Sequence, residues 1–184
     1  MTGKHSHHGP AATSGPNASM RMSPEARARM RATEKAIYRY YNDMGKEKGN
    51  CSWGIGILAH KGVCSADELK QKVDIKMVDQ EFERRVGEAE RIVQRSTTKA
   101  LNQAQFDALV SLTYNSGPRG ARDTFEFVNQ GDFAGAAKNI SSMTKVGITE
   151  KGKKKYVVAP GLIKRREEES APFRVKDDSS NATK

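Results

Sequence analysis

The chain has 184 residues, enough for one domain with a substantial core, and 36% of them are hydrophobic. No run approaches the roughly 18 consecutive apolar residues of a membrane helix, and the basic start MTGKHSHHGPAATSGPNASM lacks the apolar stretch of a secretory signal peptide. The formal net charge of +10 points to an anionic partner such as nucleic acid, an acidic membrane surface or a cell-wall polymer, or else to a plain solvated basic surface.

Residues 1–22 are rich in Gly, Ser, Pro, His and Asn and read as a disordered arm, in which His5, His7 and His8 could hold a metal only loosely. Ser23-Pro24-Glu25 is a helix start: an N-cap, a proline at the first helical position and an acid in the first turn. Ala26, Met30, Thr33, Ile37 and Tyr41 then recur at helical spacing. Glu34 falls about 40° from Met30, at the edge of that stripe, where a carboxylate is partly shielded.

The pattern breaks at Asn42-Asp43, and Met44-Gly45 and Gly49-Asn50 are turn chemistry. CSWGIGIL reads as a short strand, so a hairpin or small sheet is expected between about 43 and 62. Cys51 and Cys64 match no four-ligand zinc pattern. In a cytosolic protein they read as two reduced thiols; in an oxidising compartment a bridge would close a short loop, worth about 3 kcal/mol.

Ser65 and Glu68 form a capping-box pattern. Val78, Phe82, Val86, Ala89 and Val93 make a second helical stripe, and Phe106, Leu109, Val110 and Thr113 a third that ends at Gly117-Pro118. Helices near 123–129 and 132–145 follow. EKGKKKYVV is too charged for a core and fits an exposed hairpin or loop, and 161–171 reads as a last helix. The tail from 174 to 184 is polar. The fold class is α+β, a small β element followed by a helical majority.

Glycoside hydrolysis needs a protonated carboxyl for the leaving oxygen and a second carboxylate on the other side of the bond. Glu34, at the edge of an apolar stripe, and Asp43, in a polar turn, suit these two tasks. Taken alone, the pair also fits ordinary solvated charges, because most charged helix residues are no more than that.

Further segments carry a resemblance. Glu34, eight residues, Asp43 and then Ser-Trp-Gly-Ile-Gly resemble the signature of the phage-type lysozymes, glycoside hydrolase family 24. LNQAQFDALVSLTYNSG, GDFAGAAKNI and PGLIKRREEESAPF resemble that family's later segments, in its order, so the likeness spans roughly 24–173. The resemblance implies a lysozyme-like catalytic domain over 23–173, a small sheet lobe and a larger helical lobe with the cleft between them. It implies a muramidase that cleaves the β-1,4 bond between N-acetylmuramic acid and N-acetylglucosamine, without cofactor or metal. Glu34 falls on the general acid, and Asp43 and Ser52 on the pair that positions the attacking water. Leu58 and Tyr114 fall on groove residues that touch the glycan, and Thr124 and Asn139 on the other wall. From the residues alone, Leu58 and Tyr114 fit core packing and Thr124 and Asn139 fit capping.

Eight residues separate Asp43 from Ser52 where the family has five, and Ser replaces its Thr. His60 reads as structural. The resemblance implies that the final helix packs near Glu34, so that Arg165 or Arg166 pairs with it; from the residues alone both fit a solvent-facing basic turn. The family suggests inversion of configuration.

The expected partner is peptidoglycan, met in the periplasm by a monomer made in the cytoplasm, with no nucleic acid and no membrane span. A phage endolysin would work with a holin-type partner; an effector delivered by a secretion machine such as type VI would come with an immunity protein. The alternative is a non-catalytic basic protein that binds cell wall or nucleic acid on a lysozyme scaffold.

Overall fold

The structure is a computed structural model that describes residues 15–150 and 153–174. Its residues group into two compact units, 22–88 and the remainder, 15–21 with 89–174. Among the described residues five α-helices and two small antiparallel sheets make it α+β.

In the first unit Ser23 caps helix α1 (Pro24–Thr33), its hydroxyl accepting from the Ala26 N–H at 3.2 Å. The helix stops eight residues short of Tyr41, the last position of the apolar spacing. Glu34 is its C-cap, with extended backbone and its N–H still bonded to Met30 O at 3.1 Å. The next segment, Ile-Tyr-Arg-Tyr-Tyr-Asn, is rich in β-branched and aromatic residues and forms strand β1 (Ile37–Asn42). With β2 (Cys51–Gly54) and β3 (Ile57–His60) it makes an antiparallel sheet in the order β1-β2-β3, six residues earlier than the turn chemistry suggested.

Ser65 and Glu68 form the expected capping box, Glu68 accepting from the Ser65 N–H at 2.7 Å and Ser65 Oγ from the Glu68 N–H at 3.2 Å. It leads into a single 3-10 turn, Glu68–Lys70. Helix α2 (Ile75–Ser96) gives Val78, Phe82 and Val86 to this unit's core, beside Ala26, Met30, Ile55, Ile57 and Val73. Arg31 ties α1 to α2 by pairing with Asp79 at 2.7 Å.

Cys51 and Cys64 are joined in a disulfide. Of the two states left open by the sequence the structure has the bridge: the β-turns between the cysteines bring their Cα atoms to 4.6 Å, within bonding reach.

In the second unit the last turns of α2 bury Ala89, Ile92 and Val93. Helix α3 (Gln103–Gln130) opens on a capping box of Asn102 and Gln105. It breaks at Gly117 (φ 70°, ψ 173°), the Gly-Pro stop expected there, and continues from Pro118. Gly131, in the left-handed region at φ 78°, ends it. Helix α4 (Phe133–Ser142) buries Ala136, Ala137 and Ile140, and helix α5 (Pro160–Ser170) leads into a 3-10 turn whose Phe173 meets Phe133 at 6.2 Å. The charged run is a hairpin, β4 (Lys145–Glu150) with β5 (Lys153–Val158).

The disordered arm expected over 1–22 does not extend to 15–22. Asn17 is fully buried, donating to Thr97 Oγ1 and Lys99 O at 2.8 Å each and accepting from the Leu101 N–H at 3.0 Å. One amide side chain thereby clamps the connection between α2 and α3, a role invisible in a low-complexity stretch. Residues 1–14, with the three arm histidines, and the tail from 175 lie outside the described residues.

Candidate active site

The hairpin register decides what the enlarged loop does to Asp43 and Ser52. Asn42 pairs with Cys51 and Tyr41 with Ser52. One step beyond, the Asp43 N–H bonds to Asn50 O at 3.0 Å. The ladder thus stays in register up to Asp43, and the extra residues are absorbed by the tip, 44–49. In an antiparallel ladder facing residues share a face and alternate along the strand. Asp43 and Asn50 therefore share a face with Tyr41 and Ser52, and the diagonal from Asp43 to Ser52 is about 7–8 Å. Across β3, Ser52 faces Leu58, which continues the row Tyr41–Ser52–Leu58.

Within that row Ser52 is buried, Tyr41 half-buried and Leu58 exposed. The Asp43 carboxylate is exposed and accepts two hydrogen bonds from Asn50, from its backbone N–H at 2.8 Å and its side-chain amide at 3.4 Å. The same Asn50 side chain accepts from the Gly62 N–H at 3.2 Å, and Asn42 accepts from the Cys64 N–H at 2.8 Å. The segment that carries Cys64 is thus stitched to the neck of the Asp43 hairpin. Gly49 makes the close approach: its φ is 82°, and a Cβ there would sit 2.0 Å from Asp43 Oδ1. Burial pushes the Tyr41 phenol above its ordinary pKa; a hydrogen bond from the Gly56 backbone opposes this and the Asp43 charge adds to it.

Glu34 is half-buried where α1 gives way to β1. His60 uses both ring nitrogens within the first unit. Its Nδ1 meets Lys61 O at 3.0 Å and its Nε2 meets Glu68 Oε1 at 2.9 Å. Those contacts, the Lys61 carbonyl first, raise the imidazole pKa; Glu68 is held below its usual value, chiefly by hydrogen bonds from Ser65 and then by His60.

In the second unit the structure brings Thr124 and Asn139 together: the buried Thr124 hydroxyl on α3 donates to Asn139 Oδ1 on α4 at 2.7 Å. Tyr114 is half-buried on α3, next to the buried Thr113. Arg166 is not in a solvent-facing turn. It is 2% exposed, donating to Asn115 Oδ1 at 2.5 Å, to Met143 O at 3.1 Å and to Glu169. Arg165 also donates to Glu169, at 3.1 Å, and Ser111 Oγ does so at 2.6 Å. Glu169, buried under two guanidinium groups, gives no signal in the sequence because REEES looks like a solvated helix face. Asn50 is legible there only as a turn residue.

The profile of the phage lysozyme family matches residues 31–169, a span that includes every one of these residues. A comparison with curated proteins gave no match. Among solved structures, the endolysin from Escherichia coli O157:H7 phage FAHEc1 is 27% identical, with a TM-score of 0.66 over 88% of this chain and 96% of that one. The muramidase domain of SpmX from Asticcacaulis excentricus shares the fold at 22% identity, with a TM-score of 0.65 over 85% of this chain and 99% of that one.

Proposed function

The chain belongs to the phage lysozyme family, and from that premise we propose that it is a muramidase acting on bacterial peptidoglycan. In this reading the Glu34 carboxyl protonates the glycosidic oxygen between N-acetylmuramic acid and N-acetylglucosamine. A water held by Asp43 and Ser52 attacks the anomeric carbon from the opposite face, and Asp43 takes its proton. The observation that carries the reading is the in-register hairpin inside the matched span, with Asp43 and Ser52 on one face just after the half-buried Glu34. By the family resemblance, Leu58, Tyr114, Thr124 and Asn139 would each be glycan-contacting residues.

The setting is either lysis by a phage, with a holin-type partner opening the membrane, or delivery as an antibacterial effector, with an immunity protein guarding the producer. Gene neighbours distinguish the two. No helix among the described residues is long and apolar enough to cross a membrane.

Glu34→Gln tests the reading. General acid catalysis contributes about 10²–10⁴-fold, so release of reducing ends from purified peptidoglycan should fall by that factor while the circular dichroism spectrum is unchanged. Parental hydrolysis by the mutant would reject Glu34 as the acid. Binding without hydrolysis by the parent would favour a basic wall-binding protein on the same scaffold.

A further inference from the structure

On the strands that carry Asp43 and Ser52, the neighbouring cross-strand row holds different chemistry. Asn42 pairs with Cys51 and Cys51 with His60, a row set off from Tyr41–Ser52–Leu58 by a β-bulge in the β2–β3 ladder between Cys51 and Ser52. Cys51 Sγ, a ring nitrogen of His60 and a carboxylate oxygen of Glu68 lie within 4.8 Å of one another, and Cys64 Sγ is bonded to Cys51 Sγ. One sulfur, one imidazole and one carboxylate therefore converge at a single point of the first unit, and the second sulfur adjoins it through its bond to Cys51.

We propose that, once the Cys51–Cys64 bond is reduced, this cluster is a Zn²⁺ site with Cys51 Sγ, Cys64 Sγ, His60 Nε2 and Glu68 Oε1 as its four ligands. The proposal does not depend on the muramidase reading. Its donor set is the N, S and O mixture that zinc accepts in tetrahedral sites. Zinc–sulfur bonds of about 2.3 Å and zinc–nitrogen or –oxygen bonds of about 2.0–2.2 Å need ligand–ligand edges of about 3.3–3.8 Å. His60 Nε2 and Glu68 Oε1, at 2.9 Å, have to part by only a few tenths of an ångström. The sulfurs open from bonded contact by side-chain rotation.

The outer contacts are already in place. His60 Nδ1 donates to Lys61 O at 3.0 Å, which aims Nε2 at Glu68. Glu68 Oε2 accepts from the Ser65 N–H at 2.7 Å, which aims Oε1 at His60. Partners of this kind fix the tautomer and direction of zinc ligands. The spacing Cys-x8-His-x3-Cys-x3-Glu is not a familiar zinc signature, and fold geometry assembles it.

The chemistry balances. A small-molecule or protein dithiol gives two electrons and two protons to the disulfide, becoming a disulfide itself and leaving two thiols. Zn²⁺ then replaces the two thiol protons and the proton between His60 and Glu68, so binding releases protons. In the oxidised chain both sulfurs are consumed by their own bond, and the remaining imidazole and carboxylate are too few to hold zinc tightly. One cross-link thus substitutes for the other: zinc in a reducing compartment, the disulfide in an oxidising one.

The test uses the full chain with His5, His7 and His8 changed to Ala, which removes the arm's own metal affinity. It is reduced anaerobically with a phosphine, which takes up oxygen from water as the disulfide opens. Titration with Co²⁺ should give one ion per chain and a thiolate-to-cobalt charge-transfer band, which one equivalent of Zn²⁺ abolishes. The oxidised chain should show no such band. Glu68→Gln, which keeps the side-chain shape, and His60→Ala should each weaken Zn²⁺ binding by at least about 100-fold. A reduced chain without the band, or variants that bind as tightly as the parent, would overturn the site. Equal binding by oxidised and reduced chains would do so as well.

Discussion

Asp43 owes its place to two neighbours across the hairpin, and they act by different physics. Gly49 supplies room: its φ of 82° and the 2.0 Å separation between a notional Cβ and Asp43 Oδ1 leave no space for a side chain. Gly49→Ala should displace the carboxylate and cost about 1–2 kcal/mol for the left-handed backbone, lowering both kcat and Tm. Asn50 supplies hydrogen bonds, and its backbone donor survives mutation. Asn50→Ala loses the 3.4 Å amide contact and the link to Gly62, so kcat should fall by up to about tenfold with KM nearly unchanged. A parental kcat in the Gly49 variant, measured on soluble peptidoglycan fragments, would show that Asp43 need not be held there. The sequence marks Gly49-Asn50 as a turn and can go no further. Which side chain a turn residue serves depends on register, and register here is set by pairs on either side of the loop.

The early end of α1 has a geometric cause at the level of elements. Thr33, Ile37 and Tyr41 are spaced by four, which places residues on one face of a helix and equally on one face of a strand. Composition favours the strand from Ile37 on, because Ile-Tyr-Arg-Tyr-Tyr is rich in β-formers. The break in α3 is legible for the opposite reason: a Gly-Pro pair admits few readings, and Gly117 takes the positive φ it permits. Pairing of the cysteines is out of the sequence's reach because it depends on the β-turns that bring them together. That bridge closes a loop with a sequence separation of 13, worth about 3 kcal/mol. Cys64→Ser should lower the unfolding free energy by about that much in urea without reductant, and the difference should vanish when both proteins are reduced in the presence of a chelator. The Asp43 hairpin should feel the loss, since Asn42 and Asn50 bond to residues 64 and 62 of the closed loop.

At the scale of the whole molecule, part of the charge among the described residues is matched within the fold and part lies exposed. Many arginines serve the fold: Arg31 pairs with Asp79, Arg84 and Arg85 with Glu81, and Arg166 with Glu169. Lys70 and Lys164 pair with Asp67 and Glu168, whereas Lys145 and Lys153 are exposed on the β4–β5 hairpin, beside a three-quarters exposed Tyr156. Composition alone shows the excess of +10 but not this separation, since an arginine buried on Glu169 and a lysine in water count alike. Such a surface draws a polyanionic wall from a distance, and at 0.15 M salt the reach is only about 8 Å. Raising ionic strength from about 0.05 to 0.5 M should therefore raise KM on intact, anionic cell walls several-fold. With short neutral glycan fragments kcat and KM should stay level, because the bond-breaking groups do not depend on the distant field. If both substrates respond alike, salt is acting on the hairpin or the proposed catalytic carboxyls rather than on capture of the wall, and the lysine surface has another use.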